Sequence, residues 1–296
     1  MPSCPTPAAA RLLIVGCGDV GMRVLKLLGG RWPVLALTSN PERRAELRAA
    51  GATPLLGNLD DPASLGRLAG LADRVLHLAP PQPQGRDDLR TAALLQALAR
   101  GRPPACIVYA STSGVYGDCG GARFDESRPV APGTERALRR VAAERRLRVF
   151  GVQFGGRISL LRVPGIYASD REGGHPRERL VRGSPVLRRE EDVYTNHIHA
   201  DDLARACVAA LFRGLPQRAV HVCDDSELLM GDYFDLAADL CGMSRPPRVA
   251  RAEAARLMST MQLSFMSESR RLTNTRLKTE LRLKLRYPQP AQGLVA

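Results

Sequence analysis

Lysine is almost missing from this 296-residue chain: Lys26, Lys278 and Lys284 are the only lysines among 43 basic residues, and none falls between positions 26 and 278. The net charge of +13 is therefore carried by arginine. A bias this complete is as readily a compositional habit as a functional surface, so basicity by itself argues little for a polyanion partner. Aromatics are scarce, at 4%. None interleave the basic runs as a base-stacking platform requires, which argues against a nucleic-acid partner. No stretch approaches the ~18 consecutive apolar residues of a membrane helix, and no basic segment precedes the first apolar run. The expectation is a cytoplasmic protein without a membrane partner. No CxxC pair occurs among Cys4, Cys17, Cys106, Cys119, Cys207, Cys223 and Cys241. They read as reduced, mostly buried thiols rather than disulfides or zinc ligands, and no metal site is expected.

What is present is the composition of a globular protein, 44% hydrophobic and 25% charged. Strands are expected at Arg11–Val15, Pro33–Thr38, Thr53–Leu56, Arg74–Leu78 and Ala105–Ala110, each followed by an Ala/Leu/Arg-rich stretch of helical length. Repeated strand–helix alternation implies right-handed βαβ units, hence an α/β fold with a doubly wound parallel sheet of Rossmann type. Strand Ile158–Val163, a helix over Asp202–Phe212 and strand Ala219–Cys223 continue the pattern. The expected organisation is a flexible tail over 1–10, a nucleotide-binding domain over 11–168 completed by 195–225, and a small, mostly helical C-terminal lobe from 169–194 and 226–290. Such a lobe would cover the carboxyl edge of the sheet, where open α/β sheets bind ligands.

Gly16-Cys17-Gly18-Asp19-Val20-Gly21 follows the first strand and opens a helix over Val20–Leu28. In a dinucleotide fingerprint the first glycine makes the tight turn, the second lets backbone approach a pyrophosphate, and the third lets helix and strand pack closely. The phosphates then sit at the helix N-terminus. The end of the second strand decides the cofactor: a carboxylate holds the ribose of NAD, an arginine accepts the 2′-phosphate of NADP. Here Thr38-Ser39-Asn40-Pro41-Glu42-Arg43-Arg44 has no acid at the strand end and two arginines just beyond. The pattern favours NADP through Arg43 and Arg44, with Ser39 beside them; the alternatives are NAD, if Glu42 turns inward, and a solvated helix face that the two arginines merely decorate.

Taken together, several ordered motifs resemble the extended short-chain dehydrogenase/reductases, the NAD(P)-dependent epimerase/dehydratase group, nearly end to end. They are Gly16–Gly21, Gly57–Asp61, Leu78–Pro81, Tyr109–Gly117, Leu161–Tyr167 and Asn196–Ala204. The resemblance implies that Asn58 and Leu59 border the adenine, and Ala79 and Pro80 the ribose and diphosphate. It places the Thr112 hydroxyl near the nicotinamide, Val163 to Ile166 beside the ring, and implies a homodimer formed by pairing two helices.

The departure lies at the family's YxxxK helix, where tyrosine is the general acid/base and lysine lowers its pKa. No tyrosine here has a lysine four residues on. With the family's following glutamate taken as Glu144, the tyrosine position falls on Arg136 and the lysine position on Arg140. Arginine stays protonated and is almost never a general base. Arg140 can replace the lysine as a ribose or phosphate contact, which leaves Thr112, Tyr116 and Tyr167 as the nearby hydroxyls for proton transfer. An arginine-rich outer helix face over Thr134–Arg148 is the plain alternative.

His197 and His199 lie on one strand face and could suggest a metal pair, but no third ligand is near. Asp201 or Asp202 is expected to cap the following helix, and His77 reads as a core or strand-edge histidine. Seven basic residues against Glu280 between Arg270 and Arg286 offer a site for a phosphorylated or carboxylated substrate, or a solvated face. The leading expectation is an NAD(P)-dependent oxidoreductase or nucleotide-sugar epimerase/dehydratase-like enzyme acting on a small, possibly anionic, hydroxyl or carbonyl substrate. The competing one is a non-catalytic NADP-binding sensor or regulatory protein.

Overall fold

The computed structural model describes residues 10–295; Cys4 and the tail expected at 1–10, apart from Ala10, lie outside them. The first half runs β1 (Leu12–Val15), α1 (Asp19–Leu28), β2 (Val34–Thr38), α2 (Arg44–Ala49), β3 (Ala52–Leu56), β4 (Arg74–His77), α3 (Leu89–Ala99) and β5 (Cys106–Thr112). Then come β6 (Arg123–Phe124), α4 (Glu135–Phe154), β7 (Arg157–Val163), β8 (Gly165–Tyr167), α5 (Arg177–Val181), β9 (Val186–Leu187), β10 (Tyr194–Thr195) and β11 (His197–His199). The remainder is α6 (Ala200–Arg213), β12 (Arg218–His221), β13 (Leu228–Leu229), α7 (Met230–Leu240), β14 (Arg248–Val249), α8 (Arg251–Leu257), α9 (Thr260–Phe265), β15 (Arg271–Leu272), α10 (Thr275–Thr279) and α11 (Pro290–Gly293).

Seven strands form one parallel sheet in the order β3-β2-β1-β4-β5-β7-β12. Alternation along a strand sends successive side chains to opposite faces, and β5 shows it directly. Cys106 and Val108 enter the core under α1 and α6, while Ile107 and Tyr109 enter the core under α3 and α4. Strand order reverses between β1 and β4, which places a ligand crevice at their carboxyl ends. After β3 the chain makes a 3-10 helix over Pro62–Leu68 rather than an α-helix; Pro62 starts it and Gly66 weakens it.

A third apolar cluster lies beyond the sheet. It joins Tyr167, Leu180, Val186 and Leu187 to Met230, Tyr233, Phe234 and Ala237, so the segment after β8 packs against α7. Short ladders brace it: β9 with β14, β10 with β13, β8 with β11 and β6 with β15. The lobe is thus less purely helical than expected. Asp202, fully buried, anchors the returning chain by accepting from the backbone N–H groups of Arg286 and Tyr287. The cap of α6 is a correction: His199 Nδ1 accepts from Asp201 N at 3.2 Å, and both aspartates sit inside the first turn. Their carboxylates suit the positive helix end but are taken by arginines.

Candidate functional site

At the end of β1 Gly16 turns the chain with φ +83°, and a Cβ there would lie 2.5 Å from the Ala79 backbone nitrogen. Glycine is therefore required twice over, for conformation and for space. Gly18 is extended and caps α1, and a Cβ on it would face open space. Gly21 lies against Cys17 Sγ and Ile14 Cγ2, at 3.0 and 3.5 Å from its Cβ position, so it lets α1 settle on β1. A turn, an approachable backbone and a close-packed helix are what a diphosphate cradle needs, and the residues present fit a dinucleotide.

A cavity of about 220 Å³ opens there, and its walls join Gly16, Gly18, Asp19, Val20 and Gly21 to Arg140 and Val163. Its other walls include Ala110, Ser111, Ile166 and Arg171. Seven of the residues expected from the sequence thus meet in one cleft. The others are not among the residues that line it. Arg43 donates from Nη1 to the Cys17 carbonyl at 2.7 Å and pairs with Glu46, so it is held against the glycine loop. Ser39, Glu42 and Arg44 are exposed. Asn58 is exposed, and Leu59 is half-buried against the α3/α4 core. Ala79 donates its N–H to Val15, and the Pro80 carbonyl accepts from Arg90. Arg90 also clasps Asp60 in two hydrogen bonds of 2.6 and 2.7 Å, tying the Asn58 and Pro80 loops together. Nothing in the spacing pointed to Arg90.

The α4 wall carries Arg136 and Arg140, the two positions expected from the sequence to stand in place of a tyrosine and a lysine. Thr134 caps the helix by accepting from Ala137 N. Arg136 is exposed, with its guanidinium 4.8 Å from the Phe265 ring centre. Arg140, one turn on, faces the cleft. Its Nη1 donates to the Tyr109 hydroxyl at 2.9 Å and to the Ala110 carbonyl at 2.8 Å. Five N–H donors on one guanidinium leave others for a ligand. Burial pushes the Tyr109 phenol up to about 12, with Arg140 opposing the rise.

Below the cleft lies a buried polar network that the sequence did not reveal. Ser111 donates to Glu144 at 2.6 Å, and Arg162 forks onto the same carboxylate at 2.8 and 3.2 Å. Arg162 Nη1 also donates to the Tyr116 hydroxyl at 2.6 Å. The Thr273 carbonyl can only accept, so His221 Nδ1 carries the proton and Nε2 accepts from Tyr116 at 2.6 Å. Tyr116 is 1% exposed and burial pushes its phenol up to about 12. Its hydroxyl is thereby occupied away from the cleft. Tyr167 is equally buried, in the lobe cluster. Thr112 remains partly exposed at the end of β5, in register with Val163 of the cleft, and its Oγ1 accepts from Gly114 N.

Among the described residues no group of three or more His, Cys, Asp or Glu could hold a metal ion, and no helix is long and apolar enough to cross a membrane. His197 stacks on Tyr233 with ring centres 3.8 Å apart, and His77 bonds Thr91 in the core. Burial holds His77 and His197 down at about 3 and His221 at about 4. The unfolded chain takes up these protons as pH falls through the ordinary 6.5, while the folded chain refuses them until far lower. Their contribution is fully present above about 6.5 and is lost progressively as pH falls toward 4 for His221 and 3 for His77 and His197. Burial raises Asp224 to about 7, so it works in the opposite direction. With three histidines set against this one carboxylate, stability is expected to fall between pH 7 and pH 5. Denaturant midpoints that coincide at the two pH values would contradict this.

A profile of the NAD dependent epimerase/dehydratase family matches residues 12–223. No sequence among curated proteins matches the chain. In structure it is similar to a conserved protein of unknown function from Silicibacter pomeroyi, at 29% identity and TM-score 0.78 over 97% of both chains. It also shares its fold with the UDP-glucose 4-epimerase of Thermotoga maritima bound to UDP-glucose (18% identity, 96% of both chains, TM-score 0.77). A dTDP-glucose 4,6-dehydratase variant from Streptomyces venezuelae with NAD bound is likewise similar (21% identity, 96% of this chain and 94% of that one, TM-score 0.76). With the motifs in place on a parallel sheet of this order and the profile spanning most of its length, the chain belongs to the NAD dependent epimerase/dehydratase family.

Proposed function

We propose that this protein is an NAD(P)-dependent oxidoreductase or epimerase-like enzyme that works without the family's tyrosine–lysine pair. The observation that carries the reading is Arg140, a fixed cation on the cleft wall where the lysine would stand, braced by Tyr109 and Ala110. A bound nicotinamide would supply hydride transfer to or from a hydroxyl or carbonyl carbon. The chain's own part is to hold the ribose with Arg140, to receive the diphosphate on the loop Gly16–Gly21, and to move a proton at Thr112, which follows the cleft residue Ser111 and pairs in register with Val163. Tyr116 then acts as a positioning residue within the buried network. Arg43, held at the glycine loop, supports NADP over NAD through the 2′-phosphate.

Calorimetric or fluorescence titration with NADPH and NADH tests the reading. Both should bind, NADPH the tighter. Arg140→Ala should weaken either by about 10–100-fold, the worth of one hydrogen bond from a charged donor. Failure of the parent protein to bind either nucleotide defeats the proposal; tighter NADH binding defeats the assignment of Arg43.

A second reading, a non-catalytic NADP-binding sensor, has its own support. The tyrosine position is occupied by the exposed Arg136 stacked on Phe265, so no hydroxyl stands there to titrate. A panel of carbonyl compounds and nucleotide sugars, followed by cofactor absorbance, separates the two. Turnover that survives Thr112→Val would remove Thr112 from the mechanism.

A further inference from the structure

We infer that Arg171, on the loop between β8 and α5, is a diphosphate-binding residue: the lobe's own contribution to the dinucleotide cleft. The inference rests on the dinucleotide reading above and deepens it.

The first residue of α1 raises a difficulty for that reading. Asp19 follows the second glycine directly, so its carboxylate stands beside the place where an anionic diphosphate would approach the helix N-terminus. Two like unit charges 4 Å apart repel by roughly 4 kcal/mol at an effective dielectric of 20, which would undo much of what the helix end offers. The cleft therefore needs a counter-charge that serves both Asp19 and the ligand. Arg23 cannot be that group. Its Nε bonds Asp19, its Nη1 bonds Asp201 at 2.5 Å, and its Nη2 bonds Asp170, so one guanidinium is spread over three carboxylates.

Arg171 is placed differently. Its Nη1 reaches Asp19 Oδ2 at 2.5 Å, and its side chain shares the cavity wall with Gly16, Gly18 and Val20. The cavity, at about 220 Å³, is smaller than the ~300 Å³ at which ligand clefts usually begin, and an arginine drawn to Asp19 lies at its wall. With Nη1 kept on Asp19, the guanidinium still has other N–H donors in the same plane, a fork that suits phosphate oxygens. The loop is shaped for this side chain. Gly174 donates its N–H to the Arg171 carbonyl at 3.0 Å, and a Cβ at 174 would sit 2.5 Å from Arg171 Cδ and 2.6 Å from Cγ. Only glycine leaves room for the arginine stem. Arg171 also borders a second, larger cavity of about 960 Å³, together with His175 and Arg177. A diphosphate that holds Arg171 down thus sets one wall of the lobe cavity as well.

Titration of the parent, Arg171→Ala, Arg171→Lys, Gly174→Ala and Asp19→Asn with NADH and NADPH tests the inference, with thermal melts confirming that each folds. Arg171→Ala should weaken both nucleotides alike by about 10–100-fold, because the diphosphate is common to them. Arg171→Lys should fall between, Gly174→Ala should weaken binding with the charge intact, and Asp19→Asn should tighten it. Hydrogen exchange over 169–182 should slow on adding nucleotide to the parent and not to Arg171→Ala. If the parent binds and Arg171→Ala binds within twofold of it, the inference is overturned while the dinucleotide reading stands. If the parent binds neither nucleotide, the dinucleotide reading itself has failed.

Discussion

Replacing Arg162 by methionine is expected to cost about 3–5 kcal/mol, the penalty for leaving a buried charge without its partner. The side chains of Arg162 and Glu144 are each only 6% exposed, and their fork is the centre of the network from Ser111 to His221. Removing the guanidinium strands the Glu144 carboxylate and deprives the Tyr116 hydroxyl of a donor. Against the ~5–15 kcal/mol that holds a domain together, such a loss is a large share. The double variant Arg162→Met/Glu144→Leu should recover part of it, because two apolar groups in place of a buried ion pair are often nearly neutral. Guanidinium unfolding of the three variants measures this. A loss below about 1 kcal/mol for Arg162→Met, or a double variant worse than the sum of the two singles, would show that the pair is not what holds this layer.

The second large effect separates two glycines that look alike in the motif. Gly16→Ala should destabilise the fold by about 2–5 kcal/mol, from a left-handed backbone and a forced contact with Ala79. Gly18→Ala meets no atom and adopts an ordinary extended backbone, so stability should stay within about 1 kcal/mol. Its methyl group would nevertheless occupy the space through which a diphosphate approaches. Dinucleotide binding should fall at least about a hundredfold, roughly 2.7 kcal/mol. Thermal melts and nucleotide titration read the two effects independently. Tight nucleotide binding by Gly18→Ala would mean that the loop does not cradle phosphates.

The contrast between these glycines also shows where sequence reasoning stops. Spacing identified Gly16, Gly18 and Gly21 and assigned each a role, because those roles are local to one turn and one helix start. Strand positions were likewise legible within a residue or two, since a buried parallel strand is a short apolar run. Tyr116 was a reasonable proton donor by position, but whether a hydroxyl faces a cleft or a core depends on which face of β5 its turn packs against. His199 displaced two aspartates as the α6 cap because the helix starts at Ala200, which leaves Asp201 and Asp202 inside its first turn, where Arg23 and the backbone of Arg286 and Tyr287 engage them.

What the sequence by itself determined is therefore the α/β alternation, the glycine loop, and the impossibility of a tyrosine–lysine pair in a chain with no lysine between positions 26 and 278. Each of these depends on residue type and short spacing alone. Apart from local helical pairs such as Arg23 with Asp19 and Arg43 with Glu46, the partners of the arginines were decided only by the tertiary structure. Arg140 on Tyr109, Arg162 on Glu144 and Arg171 on Asp19 join positions 31, 18 and 152 residues apart. A long, flexible cation carries no mark in sequence of the carboxylate or carbonyl it will meet, and its partner is chosen when the sheet and lobe bring them together.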